Sequence, residues 1–146
     1  MESKTEHGCI LAVDWGERRI GVAISDETQT LARPLKVVSS GSRKENAVTL
    51  ARIIDDHNPI EVLVGVTYDS DGSLTPIGRR ANRLAEAVRV LVSCPVTIVD
   101  EARSTRMAKE NKIRIGSSRK SRKGHLDAEA AAVFLQWFLD ERAMHG

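Results

Sequence analysis

The chain has 146 residues, 41% of them hydrophobic and 29% charged, enough for one domain with a genuine core. No apolar run approaches the ~18 residues of a membrane span, and the polar stretch Met1–His7 lacks the apolar core of a signal peptide, so a cytoplasmic protein with no membrane partner is expected. The net charge of +2 is segregated: Arg103–Gly124 carries nine basic residues against one acid, leaving the remainder at −6, a pattern that points to a polyanionic partner.

Residues 1–8 read as a polar tail and 9–146 as a single domain. Cys9–Asp14 is a continuous apolar run ending in a carboxylate, the signature of a strand buried on both faces of an α/β sheet. Gly16 permits a tight reversal into a second strand, Arg19–Ser25. A third short strand is expected at Leu35–Val38, after Pro34. Ser39–Ser42 is turn and N-cap chemistry, and Asn46–His57 carries a helical apolar stripe stopped by Asn58-Pro59. Glu61–Val66 reads as a buried strand, Thr67–Pro76 as a polar loop, and Ile77–Val92 as a helix with Arg79, Arg80, Arg83 and Arg89 exposed. Val96–Val99 is a short strand ending in Asp100-Glu101, Thr105–Ile113 a short helix, and Leu126–Arg142 the last helix. The order β-β-β-α-β-α-β-α favours an antiparallel meander followed by parallel crossovers, an α/β fold with a mixed five-stranded sheet flanked by helices. That is the arrangement of the ribonuclease H-like fold.

If the first, fourth and fifth strands are parallel, their C-terminal ends share one sheet edge, where open α/β sheets place their sites. Asp14, Asp69, Asp71, Asp100 and Glu101 follow those ends, and Asp127 begins the helix that returns over the same edge. Asp26 belongs at the opposite end of its strand, roughly 20 Å away. Asp71 beside Gly72 reads on its own as a turn residue, and Asp127 as a helix cap. Carboxylates converging from separate elements repel without cations, and hard divalent ions resolve that repulsion, with magnesium the expected cofactor and manganese a substitute. The four histidines lack zinc-like spacing to either cysteine, and Cys9 and Cys94 do not form a disulfide framework. No phosphate-binding P-loop or nucleophile elbow is present. Five aromatic residues in all argue against a stacking platform and for contacts to a nucleic-acid backbone.

Asp14-Trp15-Gly16-Glu17-Arg18-Arg19-Ile20-Gly21-Val22-Ala23 resembles the opening motif of the YqgF/RuvX family. The resemblance extends through Ala32-Arg33-Pro34-Leu35, the loop Gly65–Ser73, Asp100–Thr105 and His125–Ala131. It implies a ribonuclease H-like nuclease related to Holliday-junction resolvases and acting on pre-16S rRNA, with RNA favoured over branched DNA. It further implies a metal site of Asp14, Glu101 and Asp127, with Asp100 as the alternative to Glu101. Two departures stand out: Asp69 replaces the motif's asparagine, and the arginine expected after Asp-Glu falls on Ala102, with Arg103 one position later.

The expected activity is therefore metal-dependent hydrolysis of phosphodiester bonds by two cations. Arg18, Arg19, Arg79, Arg80, Arg103, Arg106, Lys109, Arg119, Lys120, Arg122 and Lys123 are the expected nucleic-acid contacts. The competing readings are a ribonuclease H-like binding module that does not cut, a branched-DNA resolvase, and an ATP-binding domain, for which the chain is short. No stretch marks a dimer surface.

Overall fold

The computed structural model describes residues 7–102 and 123–145, with side chains of the second stretch from 128 onward. The described elements are β1 (Ile10–Asp14), β2 (Arg19–Ser25), β3 (Ala32–Ser39), α1 (Arg43–His57), β4 (Glu61–Val66), α2 (Pro76–Leu91), β5 (Val96–Asp100) and α3 (Lys123–His145). The strands form one sheet in the order β3-β2-β1-β4-β5. β2 pairs antiparallel with β1 and β3, whereas β4 pairs parallel with β1 and β5. This is the mixed sheet that the apolar pattern anticipates.

The continuous apolar runs of β1 and β4 are explained by cores on both faces. On one face Leu11, Val13, Val62, Val64 and Val66 pack with Leu50 and Ile54 of α1 and Leu84 and Val88 of α2. On the other, Ile10, Ala12, Ala23 and Leu63 pack with Ala131, Phe134, Leu135 and Leu139 of α3. Side-chain alternation thus sends odd-numbered β1 residues toward α1 and α2, and even-numbered ones toward α3.

Three elements differ from the sequence expectation by more than one residue at a terminus. β3 begins at Ala32, not Leu35, and includes Pro34; as a sheet-edge strand it tolerates the missing amide, and its register against β2 shifts at Val22/Ala23. α1 begins at Arg43 because Ser42 and Glu45 form a reciprocal capping box, extending the helix beyond its apolar stripe. α3 spans Lys123–His145 instead of Leu126–Arg142. The expected helix Thr105–Ile113 lies outside the described residues. Cys9 and Cys94 are free thiols, with burial pushing both up in pKa.

Candidate active site

β1 and β5 end on the same side of the sheet, and their terminal carboxylates meet there. Val66 pairs with Asp100, and the Glu101 amide donates to the Val66 carbonyl at 3.0 Å, extending β5 by one residue past its named end. Val99 packs in the α3-side core, so alternation directs Glu101, and not Asp100, toward the face that carries Asp14. Glu101 is hydrogen-bonded to Asp14. Asp100 uses Oδ1 to accept the Ala102 amide at 3.0 Å, closing the turn after β5. Half-buried Glu101 is raised to about pKa 8, first by desolvation, then by the Asp14 charge and hydrogen bond, and last by Asp100.

Gly65 of β4 lies between these two strands and makes their contact possible. A methyl group there would stand 2.5 Å from Glu101 Oε1, 3.1 Å from its Cδ and 3.3 Å from its Cβ. The bare backbone is therefore the floor over which the Glu101 side chain lies. In the sequence Gly65 opens the loop motif Gly65–Ser73 and carries no evident role there. Its signal is a glycine interrupting an apolar run near a strand end, which marks a close approach.

The C-terminal half of α3 is anchored to the sheet. Gln136 Oε1 accepts the Ala32 amide and its Nε2 donates to the Thr30 carbonyl, while Arg142 pairs with Glu61 at 3.2 Å. Those partners begin β3 and β4, at the edge opposite Asp14. Asp127 stands nine residues before Gln136, about 14 Å back along the helix axis, in the early turns of α3. Its side chain lies outside the described residues.

The remaining acids have other roles. Asp26 is at the far end of β2, where its carboxylate accepts the Thr30 and Leu31 amides and the Thr28 hydroxyl; the two amides lead in holding its pKa down. Asp71 accepts the Ser73 amide and hydroxyl within the loop, an exposed turn with a lowered pKa. Asp69 closes the same turn through its backbone. Among the described residues, no three His, Cys, Asp or Glu side chains form a metal-ligand group.

Of the expected nucleic-acid contacts, Arg18 and Arg19 are exposed in the β1–β2 connection and the start of β2. Arg79 donates to the Leu74 carbonyl, and Arg80 pairs with Glu17 at 2.9 Å. Arg103, Arg106, Lys109, Arg119, Lys120 and Arg122 lie outside the described residues, as does the side chain of Lys123.

A family model named RuvX and described as Holliday junction resolvase matches residues 8–141. A relative from Halothermothrix orenii is 34% identical over 138 residues, covering 94% of this chain and 99% of its own, and one from Paraburkholderia phytofirmans is 37% identical over 131, covering 90% and 87%. Both carry names that assign them provisionally as pre-16S rRNA nucleases. RuvC of T. thermophilus, solved with a Holliday junction substrate, superposes with a TM-score of 0.58 at 18% identity over 94% of this chain and 96% of that one. That likeness shows the ribonuclease H-like fold. With the family match and these identities, the chain belongs to the RuvX (YqgF) family.

Proposed function

We propose that this chain is a metal-dependent endonuclease that hydrolyses phosphodiester bonds at pre-16S rRNA ends during ribosome biogenesis, with residues 9–146 as its single nuclease domain. The observation that carries this reading is the Asp14–Glu101 carboxyl pair, brought together over Gly65 at the ends of β1 and β5. The names of the full-length relatives favour an RNA precursor, while the family description favours branched DNA.

The donor set fits hard divalent cations. It consists of carboxylate oxygens, and the two groups share a hydrogen bond that only a protonated carboxyl can donate. A cation substitutes for that proton. Asp14, Glu101 and Asp127 would hold two magnesium or manganese ions; Asp100, the alternative to Glu101, is engaged with the Ala102 amide. Such cations supply a deprotonated water nucleophile and neutralise charge on the leaving oxygen. The protein fixes Asp14 at the end of a strand buried on both faces and holds Glu101 against it through the Val66 carbonyl. Arg18, Arg19, Arg79, Arg80 and the basic segment from Arg103 through Arg106, Lys109, Arg119, Lys120 and Arg122 to Lys123 hold the sugar–phosphate backbone.

A second reading, a nucleic-acid-binding module that does not cut, rests on exposed Ala102 standing where the family motif has arginine. The two separate in one assay: end-labelled pre-16S rRNA fragments and a four-way DNA junction, each with Mg²⁺, Mn²⁺ or EDTA. The nuclease reading expects metal-dependent cutting of the RNA that is lost in Asp14→Asn. Binding of both substrates without cutting under any metal would overturn it in favour of the module.

A further inference from the structure

Asp14 and Trp15 are consecutive but face opposite sides of the sheet. Asp14 follows the α3-side residues Ile10 and Ala12, whereas Trp15 packs against the core under α1 and α2. On that second side a cleft of about 210 Å³ opens beside the same sheet edge, lined by Trp15, Gly41, Arg43, Asn46, Arg80, Arg83 and Leu84. Both helices start at this edge, α1 directly after β3 and α2 after the loop that follows β4. The cleft and the carboxyl pair therefore flank one strand end, separated by a single residue of β1's exit.

The lining of the cleft is rich in positive charge. Three arginines line it from two helices, Arg43 of α1 and Arg80 and Arg83 of α2. Arg80 is paired with Glu17 at 2.9 Å, with both side chains exposed; among the described residues, Arg43 and Arg83 make no ion pair. Glu45, at the start of α1, is engaged by the Ser42 amide and belongs to the capping box. Asn46, buried at the cleft wall, uses Oδ1 for the Gly41 amide and Nδ2 for Ser40 and the Gly41 carbonyl, which fixes the turn behind the cleft. Guanidinium forks match phosphate oxygens in bidentate geometry, and an exposed carboxylate pair such as Arg80–Glu17 is weak enough for phosphate to displace. Trp15, next in sequence to Asp14, adds an aromatic residue to the lining.

We infer that this cleft is a phosphate subsite, in which Arg43, Arg80 and Arg83 hold a backbone phosphate of the nucleic-acid strand flanking the bond cut at Asp14 and Glu101, with Trp15 against the adjoining nucleotide. The inference rests on the proposed nuclease reading and adds Trp15, Arg43 and Arg83 to its interface. Contacts of this kind position a strand without reading its sequence, so the subsite contributes affinity and register and leaves base preference unchanged.

The test is fluorescence titration of the full chain, in a Trp137→Phe background so that Trp15 is the sole indole, in EDTA. The ligands are 5′-phosphorylated single-stranded RNA and DNA oligonucleotides of one sequence. Three proteins are compared over a range of salt: the background, Arg43→Gln/Arg83→Gln, and Lys44→Gln/Arg52→Gln, which removes the same charge from exposed positions outside the cleft. The subsite predicts that the cleft pair alone abolishes the Trp15 emission change, weakens binding about tenfold and flattens the slope of log affinity against log salt by about one or more. Equal loss with RNA and DNA assigns the phosphate itself; loss with RNA alone assigns an RNA strand. If both double variants bind alike, or if the background binds with Trp15 unchanged, the subsite is wrong. The nuclease reading is decided separately, by the cleavage loss in Asp14→Asn.

Discussion

Glu101 and Asp14 are both carboxyl groups, yet they stand on one face of the sheet and share a hydrogen bond. Burial first, then the Asp14 charge and this hydrogen bond, raise Glu101 to about pKa 8, with a proton held between the two groups. The folded protein therefore binds more protons than the unfolded chain between the ordinary carboxylate range and about pH 8. Its contribution to stability is fully present below the ordinary value and is lost as pH rises through the folded one. Thermal melts in EDTA should show Tm falling from about pH 5 to about pH 8. Glu101→Gln should flatten that part of the profile, and Mg²⁺ should raise Tm most at the alkaline end. A Tm that rises through this window in EDTA would contradict the shared-proton arrangement.

Gly65→Ala should act on the site without acting on the fold. The added methyl group meets Glu101 Oε1, Cδ and Cβ, and the side chain has to swing away from Asp14. Displacement of a catalytic group by about 1 Å can cost about 100-fold in rate, so single-turnover cleavage should fall by about that factor while the circular dichroism spectrum is retained. The Tm profile in EDTA should lose its alkaline fall at the same time, because the proton bridge is broken. Unchanged cleavage in a folded Gly65→Ala protein would show that the Glu101 position is not needed.

α3 is fastened to the sheet by Phe134, which is 1% exposed among Ile10, Ala12, Ala23 and Leu63. Phe134→Ala should cost about 3–5 kcal/mol, measured by urea unfolding of the metal-free protein. Because α3 also carries Asp127, the same substitution should weaken cation binding before the sheet itself unfolds. A loss under about 1 kcal/mol would mean that the pocket collapses around the smaller side chain.

The central strands were legible because burial on both faces leaves an uninterrupted apolar run, and β2 and β4 fall where those runs lie. The first turn of α1 was not, since Arg43, Lys44 and Glu45 are solvated and the capping box, not an apolar stripe, sets the start. That Asp14 and Glu101 leave the sheet at one edge, and that Asp26 lies at the other, follows from strand direction alone. The choice between Asp100 and Glu101 needed the pairing of Val66 with Asp100, because one residue of register reverses which of them faces Asp14. Gly65 as the floor under Glu101, and a single cleft lined by both Arg43 and Arg83, bring together distant segments that no local pattern encodes.

The proposed nuclease requires Asp14 and Glu101 together to form a divalent-cation site. Titration of the full chain with Mn²⁺, with free ion counted by electron paramagnetic resonance, addresses it most directly. The account predicts saturable binding to the unsubstituted chain, weakened at least about tenfold in Asp14→Asn and in Glu101→Gln, with both variants folded by circular dichroism. Binding of the same strength in both folded variants would contradict it.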